Sequence, residues 1–126
     1  MKKKVSVRIA ADGVTGFFER AREHARKLDR GLELPPEITV SFESTADMMR
    51  VLSAQRVRLL RAARQKPSHV SDLAARLRRD ARAVSRDVEL LEQFGLVRTR
   101  YEINPGHGKR RIVEPRAARY QLVAAI

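Results

Sequence analysis

The stretch at residues 72–97, DLAARLRRDARAVSRDVELLEQFGLV, decides the fold. Leu73, Ala74 and Leu77 fall on one side of a short helix, and Val84, Val88, Leu91 and Phe94 on one side of a longer one. Between them stands a charged corner, Arg78, Arg79 and Asp80. Asp80 suits the cap of a helix over residues 81–94, and Gly95 suits its end. If Val84, Val88 and Leu91 face inward, a turn of about 100° per residue sends Arg82, Ser85, Arg86 and Glu89 outward.

Outward from that corner the pattern stays regular. Val57, Leu59, Leu60 and Ala63 mark a preceding helix to about Gln65, after a helical turn at Met48, Met49 and Leu52. KPSH at 66–69 breaks the chain before the short helix at 70–77. Beyond Gly95, Val97, Thr99, Tyr101 and Ile103 alternate with polar residues, NPGHG reverses the chain, and KRRIVE returns until Pro115. Helix, short helix, corner, longer helix and basic hairpin, in that order, make a winged helix-turn-helix.

Ahead of it lies a different pattern. Val5, Val7 and Ile9 alternate as a strand, and so do Ile38, Val40 and Phe42. Between them Val14, Phe17, Phe18, Ala21, Ala25 and Leu28 line one helical face, with Asp12 as cap and Gly31 as stop. That face reads as core, a dimer interface being the other reading. A helical crossover of this length allows the two strands to lie parallel. Tyr120, Leu122, Ala124 and Ile126 alternate as a last strand that packs back on the N-terminal pair. The expected architecture is α+β: a strand-helix-strand segment over 1–43, available for dimerisation, then a winged helix-turn-helix with a C-terminal strand over 44–126.

The charge is strong and uneven. The 126 residues hold 27 Lys and Arg against 15 Asp and Glu, a net charge of +12. Residues 1–53 hold ten basic and eight acidic side chains, so nearly all of the excess lies after residue 53. Such a half fits a polyanionic partner. The absence of cysteine excludes disulfides and thiolate metal sites and suits a reducing cytoplasm, the expected location. MKKKVSVRIAAD opens like a signal peptide, but its apolar run is short and broken by Arg8, so neither export nor a membrane span is expected.

The segments VSFE at 40–43, VLSAQRVRLLRA at 51–62, VSDLAARLRRD at 70–80 and AVSRDVELLEQFGLV at 83–97 carry a family likeness. In them the chain resembles the small MarR-like DNA-binding regulators of bacteria and archaea, which carry a strand-helix-strand segment ahead of a winged helix. The last segment is the most specific: a Val-Ser-Arg run, two leucines and a Gly-Leu-Val exit into the wing. The resemblance departs at two places. Arg78 stands where the family holds a glycine, which would force a left-handed arginine, and His69 stands where it holds a capping Ser or Thr, for which Ser68 could substitute.

Resemblance and charge imply the same partner, double-stranded DNA. Arg82 and Arg86 are placed to read guanine edges in the major groove, with Ser85 on a base or a phosphate. Arg78 and Arg79 are placed for phosphates at the corner, and His107, Lys109, Arg110 and Arg111 for the minor groove or its phosphates. Glu89, three positions on, offers Arg86 an ion pair; Arg82 has no such neighbour.

The resulting expectation is a homodimeric transcriptional regulator, a repressor in its simplest form, with neither cofactor nor catalysis. The alternative is an antitoxin that neutralises a partner toxin and autoregulates its promoter. RNA binding is a third reading, disfavoured by only four Phe, two Tyr and no Trp. His24, His69 and His107 share no metal-ligand spacing, Ser68, His69 and Asp72 form a hydrolase set only as letters, and GHGKRR lacks the context of a phosphate loop.

Overall fold

The computed structural model describes residues 5–34, 36–106 and 108–124. In chain order the elements are β1 (Ser6–Ala10), α1 (Gly13–Asp29), β2 (Glu37–Ser41), α2 (Thr45–Val51), α3 (Ala54–Gln65), β3 (Ser68–His69), α4 (Val70–Leu77), α5 (Ala81–Gln93), β4 (Val97–Asn104), β5 (Gly108–Pro115) and β6 (Arg119–Val123). They form two compact units, Met1–Arg50 with Ala117–Ile126, and Val51–Arg116. The last strand therefore falls with the N-terminal segment rather than with residues 44–126.

In the first unit the order of strands is β2-β1-β6, and β1 runs parallel to both neighbours. The period-two pattern explains the central strand: Val7 and Ile9 are fully buried, while Ser6 and Arg8 point to the other face. That other face is polar, because the register sets Ser6, Arg8 and Ala10 beside Glu37, Thr39 and Ser41 of β2 and Arg119 and Gln121 of β6. Helix α1 lies against it. Arg20 pairs with Asp12 and reaches Ser41 Oγ at 3.4 Å, and the Ser41 hydroxyl donates to Asp12 Oδ1 at 2.9 Å. Asp12 is thereby engaged across the sheet and makes no capping hydrogen bond to α1.

The expected core face of α1 is not buried. Val14, Phe17, Phe18 and Leu28 are each 53–60% exposed, and Gly16 is the helix's one buried residue. The physical reason is the largely polar strand face: it offers hydrogen-bond partners to Arg20 and, beyond Ala10 and Val123 at one end, little of the apolar area that phenylalanines need.

The second unit is a winged helix-turn-helix. Helices α3, α4 and α5 bury Leu59, Leu60, Ala63, Leu73, Ala74, Leu77, Val84, Val88 and Leu91, the periodic positions of their sequences. Strands β4 and β5 pair antiparallel from Val97↔Pro115 to Asn104↔Gly108. The break before α4 also pairs: Ser68 and His69 add a two-residue strand opposite Val113 and Ile112. Ser53 caps α3 by accepting from the Arg56 amide at 3.3 Å.

Three arginines fasten the helices. Arg76 of α4 donates to Ser68 Oγ at 3.1 Å and to Gln65 Oε1 at 3.2 Å, holding α4 to the end of α3. Asp87 of α5 is buried, and its carboxylate accepts from Arg56 Nε at 3.0 Å and from Arg79 Nη2 at 2.7 Å. Arg56 in turn donates to the Val51 carbonyl at 3.2 Å. One carboxylate thus joins the first turn of α3, the corner and α5.

Removing it would leave two guanidinium groups facing each other with little water. Asp87→Ala is expected to cost about 3 kcal/mol, the low end for breaking a buried pair, since both arginines keep some solvent contact. Urea denaturation of the variant reads that loss as a lower midpoint at unchanged slope.

Candidate nucleic-acid interface

Helix α5 sorts its side chains by sign. Asp87 faces Arg56 and Arg79. Glu92 accepts from the Thr99 amide at 2.9 Å and hydroxyl at 2.6 Å, and from Arg111 Nη2 at 3.3 Å. Glu89, a candidate partner for Arg86, lies 3.6 Å from Arg111 Nη1 instead. All three acids of α5 are therefore engaged by the corner, α3 or the hairpin.

The exposed side is left to the cations. Arg82 and Arg86 are exposed, Ser85 is half-buried, and together with Asp80 they border one open concavity. Among the described residues neither Arg82 nor Arg86 has an ion-pair partner. Asp80 takes the cap position with an extended backbone, and its carbonyl accepts from the Val84 amide at 3.0 Å. Its carboxylate makes no capping hydrogen bond, contrary to expectation, and stands beside Arg82 on the exposed side. His69 at the start of α4 likewise makes no capping hydrogen bond. Ser68 does not substitute, because its hydroxyl donates to the Lys66 carbonyl at 3.2 Å.

The corner separates its two arginines. Arg78 is exposed, whereas the Arg79 side chain is 17% exposed and folded onto Asp87. The hairpin divides in the same way. Lys109 and Arg110 are exposed, and Arg110 Nη1 lies 3.2 Å from His69 Nε2. Arg111, expected on the DNA, turns toward Glu89 and Glu92, and its side chain is 20% exposed. His107 lies outside the described residues. Arg100, on β4, pairs with Glu114 and Glu102; Glu114 first of all holds its guanidinium above the ordinary value.

Two inward pins were missed in the sequence although both had a signal. Asp87 directly precedes Val88 on the inner arc of α5, where a carboxylate requires a cation. Arg111 shares its phase along β5 with buried Val113. As for other chemistry, Ser68, His69 and Asp72 border one cleft, but the Ser68 hydroxyl is held by Lys66 and Arg76 and not by the imidazole. Among the described residues no group of three or more His, Cys, Asp or Glu side chains could hold a metal ion, and no helix is long and apolar enough to cross a membrane.

Arg78 ends α4 in the left-handed region, with φ 53° and ψ 49°. Its amide bonds to the Ala75 carbonyl at 3.2 Å and that of Arg79 to Ala74 at 2.9 Å. The ends of α1 and α5 close by the same pair of bonds, with Gly31 and Gly95 at the left-handed position. An arginine there is strained where glycine is not. Arg78→Gly should stabilise the fold by about 0.5 to 1 kcal/mol, measured by urea denaturation, even as it removes an exposed cation.

Comparison with known proteins adds the following. No curated protein matches the chain. Among solved structures, a protein of Methanosarcina mazei Go1 described as a possible transcriptional regulator is 14% identical. It covers 56% of this chain and 66% of its own, with a TM-score of 0.47. A homodimeric winged helix-turn-helix DNA-binding domain of Mycobacterium bovis, from a possible ArsR-family transcriptional regulator, is also 14% identical. It covers 83% of this chain and 71% of its own, with a TM-score of 0.45. The family model described as HVO_A0114 matches residues 51–115, just over half of the sequence and nearly all of the winged-helix unit. This chain belongs to the HVO_A0114 family.

Proposed function

We propose that the chain is a sequence-specific regulator of transcription that binds double-stranded DNA, a repressor of the MarR-like kind its sequence resembles. The observation that carries this reading is the sorting of charge on α5. The acids of that helix are tied to structural arginines, and Arg82 and Arg86 remain exposed and unpaired beside Ser85. On α5 these two cations lie one turn apart and repel each other. A polyanion reverses the sign of that interaction.

The geometry suits the major groove, which admits one helix and presents guanine with two acceptors that an arginine fork can grip together. Arg82 and Arg86 read bases, Ser85 a base or a phosphate. Arg78, at the strained corner, and Lys109 and Arg110, on the hairpin, neutralise phosphates. Repression follows from occupancy: a protein seated on a promoter excludes polymerase from it.

The test compares the preferred duplex, selected from random DNA, with an unrelated one. Arg82→Ala and Arg86→Ala should each lose about 1 to 3 kcal/mol on the preferred site and much less on the other. Lys109→Ala should weaken both alike, and the wild-type logarithmic affinity should fall with log salt by roughly 0.9 per phosphate neutralised. Equal losses on both duplexes for all three variants would remove the assignment of α5, and an affinity independent of salt would remove the polyanion itself.

A further inference from the structure

Helix α1 leaves most of its apolar stripe off its own sheet. Val14, Phe17, Phe18, Ala21, Ala25 and Leu28 fall within a sector of about 100°, and all six are exposed. Of the six, only Phe17 and Ala21 border a cleft with Thr39 and Ser41 of β2. Gly16, Arg20 and Lys27 occupy the sheet-facing side, where Arg8, Glu23, His24 and Glu37 complete a polar cleft. Helix and sheet agree in this arrangement. Turning the stripe onto the strands would set phenylalanines against Arg8, Glu37, Thr39 and Ser41 and strip Arg20 from Asp12. Phe17 and Phe18 already meet edge to face, with ring centroids 5.6 Å apart and an interplanar angle of 77°.

From this we infer that α1 is the surface on which a second copy of the chain docks, the two helices antiparallel about a twofold axis at Ala21. Three features point to a copy. The first is charge: residues 13–29 hold Glu19, Glu23 and Asp29 against Arg20, Arg22, Arg26 and Lys27. That near balance, in a chain of net charge +12, lets two copies approach there without the repulsion they would meet elsewhere.

The second is shape. With Ala21 on the axis, Val14 lies opposite the copy's Leu28 and Phe17 opposite its Ala25, so the largest ring meets a methyl group and the axis is narrow enough for close approach. The third is area. The stripe exposes on the order of 400 Å² of apolar surface, the size at which a patch marks an interface. Two facing stripes bury roughly half of a standard interface, the size of a weak, reversible dimer and not of an obligate one.

The proposal is independent of DNA and is tested without it. Sedimentation of the full chain up to about 500 µM should show a monomer–dimer equilibrium, and Phe17→Glu should weaken it at least about tenfold. Because Phe17 is exposed, the variant should keep the wild-type circular dichroism and, at concentrations where both proteins are monomeric, the wild-type urea midpoint. A second measurement uses the lack of cysteine: Ala21→Cys should oxidise to a disulfide-linked dimer, and Lys27→Cys, on the sheet side, should not. A chain that stays monomeric, a dimer that Phe17→Glu leaves intact, or a cysteine that cross-links at 27 and not at 21 would each overturn the inference. The first of these outcomes would leave the stripe to a different protein.

Discussion

Everything in the winged-helix unit hangs on where the Asp87 carboxylate goes. A carboxylate on the inner arc of a helix loses its water, and only close cations with good hydrogen bonds offset that loss. Arg56 and Arg79 are those cations, one from the start of α3 and one from the corner. Their convergence fixes the direction in which α5 leaves the corner. Which side of α5 is exposed therefore follows from an ionic contact as well as from Val84, Val88 and Leu91.

Charge sorting follows from the same contact. Once Asp87 has drawn Arg79 inward, and Glu89 and Glu92 have drawn Arg111, the acids of α5 no longer neutralise its arginines. A strongly basic chain thus contains two populations of cations. Arg56, Arg76, Arg79 and Arg111 hold elements together, while Arg78, Arg82, Arg86, Lys109 and Arg110 face solvent. Net charge alone does not distinguish them, because both contribute equally to it.

This is why the winged helix was legible in the sequence and the interface only partly so. Periodicity reports which apolar residues face inward, and it placed α3, α4, α5 and the β4–β5 hairpin, while the left-handed Arg78 came from the family resemblance, which has a glycine at that corner. It also located β1, β2 and β6 and the parallel pairing of the first two. Arginine partners are long-range facts: Arg79 meets Asp87, and Arg111 meets Glu89 and Glu92, across turns that spacing rules do not span. Helix α1 was legible as amphipathic but not in its orientation, because the polarity of the facing strand surface depends on a register between segments far apart in sequence. The Ser68–His69 strand was hidden in a proline-marked break for a similar reason: its pairing partner is supplied by β5.

The order of strands in the first unit has a consequence for folding. Val51–Arg116 is contiguous, but β1, the middle strand of its sheet, pairs on one side with β6, nearly the whole chain away. Contacts so distant in sequence close slowly. A refolding chain can therefore assemble the winged helix from local contacts while β1 still presents an open edge beside Val7 and Ile9, and an unpaired edge of that kind is a template for pairing with another chain.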